Sequence, residues 1–288
     1  MEIIKGKRAV PQKIMIYGVE GIGKSTLASQ VQDTLFIDIE GRLDHIDCHR
    51  GPQVKSYDQL NDHLRWALGQ SYKAIAIDTF DAMERLIWEK VCAEASVESI
   101  EKIGYAKGYQ FALAYWIKIV KALEIVQQKT NAHIVLVGHH AIKRFDDPAG
   151  DSFDFYTPKL HKDAMSLLKE WVNYIFFVRY KILTKAAGDG FNTKKKALQS
   201  NDRVILTRPR PTHVAKSSSL QLPEEIAFNL KFDWNKFFTL INGETKWTSQ
   251  TTETSTQTPQ VSPMESTSSS STRPKSDEQT AEMESTSN

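Results

Sequence analysis

The sequence predicts an α/β fold in which a mostly parallel β-sheet is covered by helices and carries a late antiparallel extension. Short, strongly apolar runs alternate with longer stretches of helical periodicity, an order typical of strand–helix–strand units. The first apolar run is followed at once by a glycine-rich turn and a helical stretch, as at the ligand-binding edge of such sheets. The chain has 288 residues, 40% hydrophobic and 25% charged, which excludes collagen-like, fully disordered and disulfide-scaffold proteins.

The predicted elements follow one another as far as residue 207. Apolar runs predict strands at residues 13–17, 35–39, 53–56, 74–77 and 133–137. Helical periodicity predicts helices at residues 24–31, 59–68, 81–95, 109–129 and 160–171. Two later apolar runs, at residues 174–180 and 203–207, predict the antiparallel extension. The segment that follows residue 138 is expected to be an irregular loop.

The composition changes at residue 248. Residues 248–288 are rich in Ser, Thr, Gln and Glu and contain no aromatic residue, Leu or Ile, so they cannot bury enough apolar surface to offset the entropy of ordering. We therefore predict one folded domain at residues 1–247 and a disordered tail at residues 248–288. The tail has six acidic and two basic residues, a net charge of −4. Because the whole chain has a net charge of +2, residues 1–247 have a net charge of +6. A positive domain favours a polyanionic partner.

Cysteine usage and the absence of apolar segments indicate the compartment. Cys48 and Cys92 are too few for a disulfide framework, which is typical of a reducing environment. The first residues lack the architecture of a secretory signal, and no apolar run approaches the roughly 20 residues of a membrane helix. We expect a cytoplasmic protein without a membrane contact.

The glycine-rich turn matches the P-loop pattern G-x-x-x-x-G-K-S without departure. In this pattern the main-chain amides turn toward phosphates, Lys24 reaches the β and γ phosphates, and the Ser25 hydroxyl ligates Mg²⁺. We therefore predict ATP and Mg²⁺ as cofactors and Lys24 as a catalytic residue. The predicted nucleotide contacts are Gly18, Val19, Glu20, Gly21, Ile22, Gly23, Lys24, Ser25 and Thr26.

Two acidic residues at strand ends are candidates for the chemistry. Asp78 closes the AIAI strand, where a carboxylate holds the Mg²⁺ shell together with Ser25, the Walker B role. Thr79 follows in place of a second acid, so a water-activating base must lie elsewhere, and Glu40 at the end of LFIDIE is the candidate. The alternatives are that Asp78 or Thr79 caps a helix and that Glu40 is a solvated loop acid.

Two histidines, His139 and His140, follow the HIVLVG strand and are expected at the same edge of the sheet. A histidine at this position can hydrogen-bond the γ phosphate and report its loss to the following loop. His139 is the preferred sensor, and the alternative is that both are ordinary loop residues.

These motifs, taken in order, resemble the RecA-type core, and more closely the small phage ATP-binding proteins of the Sak group of single-strand annealing and recombination proteins. The resemblance runs from about residue 14 to residue 228. The segments that carry it are GVEGIGKST, LFIDIEGRLD, AIAIDTF, IEKIGYAKGY, IVLVGHHAIKRFDDP, KLHKDAMSLLKEWVNYIFFVRY and HVAKSSSLQLPEEI. It implies an ATPase that acts on single-stranded DNA as a homo-oligomer, either a filament or a ring.

The resemblance also implies a nucleotide contact for Lys216, because a lysine near this motif reaches the nucleotide of the neighbouring subunit in RecA-like filaments. The sequence departs from the family directly afterwards, since Ser217, Ser218 and Ser219 stand where a second basic residue is expected. The alternative for Lys216 is a solvated surface lysine.

Two segments combine the cations and aromatic rings that bind single strands. The first follows the histidines and contains Lys143, Arg144 and Phe145; nearby aspartates oppose a phosphate backbone. The second is the insert between the late strands, with Lys194, Lys195 and Lys196. A lysine-rich turn of this kind is otherwise often solvated surface.

Two other functions fit the motifs. GVEGIGKST also resembles the P-loop of thymidylate kinases, but no Asp-Arg motif follows a strand and the late region is rich in lysine, not arginine. A nucleotide-gated adaptor is the other alternative, in which the acidic tail recruits a single-strand DNA-binding protein.

Overall fold

The computed structural model describes residues 3, 5, 9–146, 150–186 and 195–243, and only the backbone of residues 183–186 and 195–199. The fold is α/β, as predicted. The chain divides into a first unit, Met1–Ser249, and a second, Gln250–Asn288, and the second lies outside the described residues. The predicted tail at residues 248–288 therefore stays a prediction.

Ten strands form one sheet within the described residues. They are β1 (Lys13–Gly18), β2 (Thr34–Asp38), β3 (His49–Arg50), β4 (Ala74–Asp78), β5 (His133–Phe145), β6 (Phe153–Pro158), β7 (Tyr174–Ala186), β8 (Lys195–Leu206), β9 (Lys216–Ser217) and β10 (Glu225–Ala227). The order is β10-β8-β7-β1-β5-β4-β2-β3, with β6 on β5 and β9 on β7. Neighbours from β7 to β3 are parallel, whereas β8, β10, β6 and β9 are antiparallel.

The helices cover both faces of the sheet. They are α1 (Lys24–Ser29), α2 (Tyr57–Ala67), α3 (Phe80–Ala95), α4 (Lys107–Thr130), α5 (Lys162–Trp171) and α6 (Trp234–Ile241), with a short 3₁₀ helix at Ile100–Lys102. Alternate residues of β1 point to opposite faces. Met15 and Tyr17 join the core beneath α2 to α5, and Ile14 and Ile16 join the core beneath α1 and α6. None of the described helices is long and apolar enough to span a membrane.

Strand β5 does not end at Gly138 as predicted. It continues to Phe145 and pairs with β6 in an antiparallel hairpin, so the expected irregular loop is largely regular. The physical reason is packing: a Cβ on Gly138 would lie 2.3 Å from the ring of Phe80, so the glycine admits a ring and does not stop the strand.

The strand predicted at residues 53–56 is also wrong. Val54 donates a single main-chain hydrogen bond to Asp38, and the Ser56 hydroxyl accepts from the Gln59 amide and thereby caps α2. The edge strand is the two-residue β3 instead. Helix α6 and strands β9 and β10 were not among the predicted elements.

Candidate active site

The sheet register brings the predicted site residues to one edge. Gly18 at the end of β1 pairs with His139 of β5 on one side and with Val178 of β7 on the other. Asp78 at the end of β4 pairs with Val137 and with Asp38 of β2. Because all these strands are parallel, their carboxyl ends lie together, and we call this edge the phosphate edge.

The P-loop connects β1 to α1 and is shaped by its glycines. Gly23 has a φ of +95°, and a Cβ on it would lie 2.6 Å from Leu230 Cδ2, so only glycine fits before the helix. Ile22 is fully buried in the core, while Glu20 and Gly21 are exposed. The side chain of one loop residue thus anchors a turn whose main chain remains at the surface. Val19 precedes these residues in the loop, and Thr26 lies in the first turn of α1.

Lys24 is buried at the start of α1. Its Nζ donates to the main-chain oxygens of Val19 at 2.9 Å and Gly18 at 3.3 Å. Burial lowers the pKa of this ammonium group, and the carboxylates of Asp78, Asp81, Glu40 and Glu20 oppose the shift. A buried ammonium group held among four acids is well placed to neutralise a polyphosphate.

Asp78 is almost fully buried at the end of β4. Burial raises its pKa to about 6, and a hydrogen bond from Ser25 opposes the shift. Thr79, not Asp78, caps α3, because its Oγ1 accepts from the Ala82 amide. Asp78 and Ser25 therefore meet as two oxygen ligands, the hard donors that Mg²⁺ prefers, and a divalent cation would compensate the buried carboxylate. These residues fit the predicted Mg²⁺ site.

Glu40 follows β2 and turns toward Asp78 and its neighbours. Its amide and that of Ile39 donate to the Asp78 carbonyl, and its Oε1 accepts from Thr79 Oγ1 at 3.1 Å. Its side chain is only 14% exposed. The alternative of a solvated loop acid is therefore wrong.

Both histidines contact the site. His139 Nδ1 lies 3.0 Å from Asp81 Oδ2 and 3.6 Å from Glu40 Oε1. His140 Nδ1 lies 3.2 Å from the Gly18 carbonyl oxygen, on the P-loop itself. The sequence placed both at this edge but could not distinguish their partners.

Asp81 is the site residue that sequence reasoning missed. It lies in the first turn of α3 and is buried, and its Oδ1 also accepts from the His139 main-chain amide at 3.0 Å. Burial alone would raise its pKa, but the hydrogen bonds from His139 outweigh burial and hold the pKa below its usual value. Its only sequence signal is a position three residues after Asp78, and an acid in a first helical turn is common.

The structure does not bring Lys216 to the phosphate edge of its own subunit. Lys216 lies on β9 beside Ile175, near the start of β7 and therefore at the opposite edge of the sheet. Its Nζ donates to the main-chain oxygens of Lys169 and Val172 at 2.7 Å and of Glu170 at 3.3 Å, which closes the end of α5. A contact with the nucleotide of a neighbouring subunit stays a prediction.

The fold and this edge together define a P-loop NTPase: a parallel α/β sheet, a phosphate loop after β1 and an acid at the end of β4. The family model described as AAA domain matches residues 10–219, more than half of the chain, and the protein therefore belongs to the AAA-domain family. No curated protein sequence is similar enough to this chain to count as a match. Membership of this family implies a nucleotide-binding ATPase that uses ATP with Mg²⁺.

Proposed function

We propose that this protein is a Mg²⁺-dependent ATPase that acts on single-stranded DNA. One observation carries the proposal beyond the family: two antiparallel hairpins extend beyond the parallel part of the sheet at the phosphate edge. Strand β5 continues past His139 to Phe145, and β7 continues past Val178 to Ala186. His139 and Val178 are the residues that pair with Gly18, the first residue of the P-loop. Binding or loss of a nucleotide phosphate at the P-loop can therefore act directly on the residues from which the two hairpins extend.

The chain's own residues divide the work on ATP. Lys24 and the loop amides hold the phosphates, and Ser25 with Asp78 holds the cation. Mg²⁺, when bound, neutralises charge that develops on the transferred phosphoryl group. Glu40 is the base that accepts a proton from the attacking water, and its hydrogen bond from Thr79 fixes its carboxylate.

The β5–β6 hairpin presents one face suited to bases. Lys143 pairs with Phe155 and Phe145 pairs with Phe153, so these four side chains share a face. The rings of Phe145 and Phe153 lie 5.3 Å apart, and Phe145 remains 46% exposed. Exposed rings beside a cation are the elements on which successive bases stack.

Arg144 lies on the other face of the same hairpin. It pairs with Asp154, and its Nε bonds to Asp146 Oδ1 at 3.4 Å. Asp154 therefore lies on the face opposite the aromatic rings, and Asp146 is bonded to Arg144. We therefore assign the DNA contact to Lys143 and Phe145, with Arg144 engaged by acids.

The β7–β8 hairpin supplies the second basic segment. Lys195 and Lys196 lie in β8, and Lys196 pairs directly with Lys185 of β7. Lysines concentrated in one segment of the sequence attract a phosphate backbone. Lys194 lies outside the described residues, so its predicted contact stays a prediction.

A role in recombination or annealing is the narrower part of this proposal. It depends on the sequence resemblance to the Sak group, as does the homo-oligomer. Recruitment of a single-strand DNA-binding protein depends instead on the acidic composition of residues 248–288. The hairpin contacts do not depend on it.

The test is binding of a labelled single-stranded oligonucleotide, followed by fluorescence anisotropy at two salt concentrations with and without Mg²⁺-ATP. We expect the double variant Lys143→Ala, Phe145→Ala to bind about tenfold more weakly, since stacking contributes about 1–3 kcal/mol per base. Ile142→Ala is the matched control, because Ile142 is 58% exposed on the opposite face of the hairpin. Equal affinity of the double variant and the control would contradict the assignment.

A further inference from the structure

One carboxylate at the phosphate edge, that of Asp81, accepts two hydrogen bonds from the same residue, His139. Asp81 receives both the main-chain amide and the ring Nδ1 of His139, each at 3.0 Å. The pairing of β5 with β1 and β4 fixes the backbone of this histidine, and Asp81 fixes its ring. No other described residue takes Nδ1 at so short a distance; Glu40 is next at 3.6 Å.

This contact determines where the ring carries a proton. An ionised carboxylate can only accept, so Nδ1 must be protonated. A neutral ring would then have a bare Nε2, which cannot donate, whereas an imidazolium would have an Nε2–H. Nε2 has no hydrogen-bond partner among the described residues.

The surroundings favour the imidazolium form. Asp81 and Glu40 face the ring with side chains that are 4% and 14% exposed. The opposing cations are Lys24 on α1 and Arg85, whose Nη1 is 4.0 Å from Asp81. The hydrogen bond to Asp81 raises the pKa of His139 above its ordinary value, although burial and Lys24 oppose the shift.

We propose that Asp81 is a positioning residue that holds His139 as an imidazolium, so that Nε2–H can donate to a phosphate oxygen of the bound nucleotide. This proposal rests on the proposed ATPase function. In this proposal His139, at the sensor position, is a positively charged hydrogen-bond donor. Its hydrogen bond to Asp81 connects it to α3, the helix that follows Asp78. A phosphate oxygen only accepts, and for that reason a neutral His139 protonated at Nδ1 would have nothing to offer it.

The first test uses the free protein and requires no ATPase activity. We would titrate the His139 ring by ¹H–¹⁵N NMR in the wild-type protein, in Asp81→Asn and in Asp62→Asn, an exposed helical acid with 68% of its side chain accessible. We expect the His139 pKa to fall by about one unit or more in Asp81→Asn and to stay unchanged in Asp62→Asn. An unchanged value in Asp81→Asn, or a wild-type ring protonated at Nε2 alone, would overturn the proposal.

A second outcome separates this reading from a metal site. Glu40, Asp81 and His139 offer ligand atoms within 4.8 Å of one another. We expect the diamagnetic ion Zn²⁺, added to the free protein, to leave the ¹⁵N chemical shifts of both His139 ring nitrogens unchanged, because only a directly ligated nitrogen would shift strongly. A large shift of either nitrogen would assign the cluster to a cation and overturn the proposal.

The third test is a double-variant cycle on ATP hydrolysis with Asp81→Asn, His139→Gln and both together. If Asp81 acts through His139, the rate of the double variant should equal that of His139→Gln, because the two losses are not additive. In Asp81→Asn the alkaline limb of the pH–rate profile should also move to lower pH. Additive losses would contradict the role of Asp81, while a wild-type protein that hydrolyses no ATP would contradict the proposed function and leave the NMR result intact.

Discussion

Strand β5 carries two histidines with opposite properties, one at its first residue and one where the strand passes the phosphate edge. His133, at the first residue, accepts the Gln12 amide on Nδ1 at 2.9 Å and stacks on Phe238 at 3.9 Å. Burial without an acidic partner lowers its pKa to about 4. His139, six residues later, has Asp81 as partner, and that hydrogen bond raises its pKa. Burial alone therefore does not decide the direction of a histidine pKa shift, because an acid that faces the ring can reverse it.

Two lysines repeat the comparison at the same two edges of the sheet. Lys216 donates to three main-chain oxygens at the end of α5, as a C-terminal cap does, and none of the described carboxylates accepts from it. Lys24 donates to two loop oxygens and lies among four acids. At the edge with His133 and Lys216, both side chains form hydrogen bonds with main-chain groups. At the phosphate edge, several acidic side chains lie close together and favour the binding of cations.

The largest effect is expected for Lys24. We predict that Lys24→Ala lowers the rate of ATP hydrolysis at least about 100-fold, because a preorganised charge at the phosphates is lost. The measurement is phosphate release at saturating Mg²⁺-ATP, with circular dichroism to verify folding. Turnover at the wild-type rate would show that the P-loop assignment is wrong.

Glu40 should have the next largest effect. Glu40→Gln keeps an acceptor for Thr79 but removes the base, so we expect turnover to fall about 100-fold while binding of a fluorescent ATP analogue is retained. Glu89→Gln, an exposed acid on α3, is the matched control. If both substitutions leave turnover unchanged, the base lies elsewhere.

The His133 end of β5 should affect stability and not catalysis. Its folded pKa of about 4 lies below the ordinary 6.5, so the unfolded chain binds the proton more readily between these values and stability is lost as pH falls through them. The limiting slope is about 1.4 kcal/mol per pH unit. Urea unfolding from pH 7 to pH 4 should show a shallower loss in His133→Gln. An identical pH dependence of the two proteins would contradict the assignment.

His139 gives the opposite sign. Its raised pKa adds stability that is fully present below the unfolded value and is lost as pH rises through the folded value. The same unfolding series, continued above pH 6.5 and compared with Asp81→Asn, should show this alkaline loss only in the wild-type protein.

The smallest effect is expected for Lys216. Lys216→Ala removes the donor at the end of α5, and we predict a loss of about 1 kcal/mol in the free energy of unfolding with ATP turnover unchanged in the absence of DNA. Urea denaturation and phosphate release measure the two quantities. A large loss of DNA-stimulated turnover without a loss of stability would instead support the nucleotide contact across subunits.

The sequence predicted the parts of the fold and site that local patterns encode. The P-loop, the strand ending at Asp78 and the acid at Glu40 each depend on a few adjacent residues, and the structure brings them to one edge. The continuation of β5 could not be predicted in this way, because Gly138 is needed to make room for the ring of Phe80, which lies 58 residues earlier in the chain. Asp81 was missed for a similar reason: its partner His139 is distant in sequence and reaches it only through the sheet.

The most direct test of the account is ATP hydrolysis with and without single-stranded DNA at two salt concentrations, with Lys24→Ala as the blank. We predict that DNA stimulates turnover and that the stimulation weakens as salt rises, because phosphate contacts release counterions. Turnover that is indifferent to DNA would contradict the proposed function, and phosphoryl transfer to an added nucleoside monophosphate would indicate a kinase in its place.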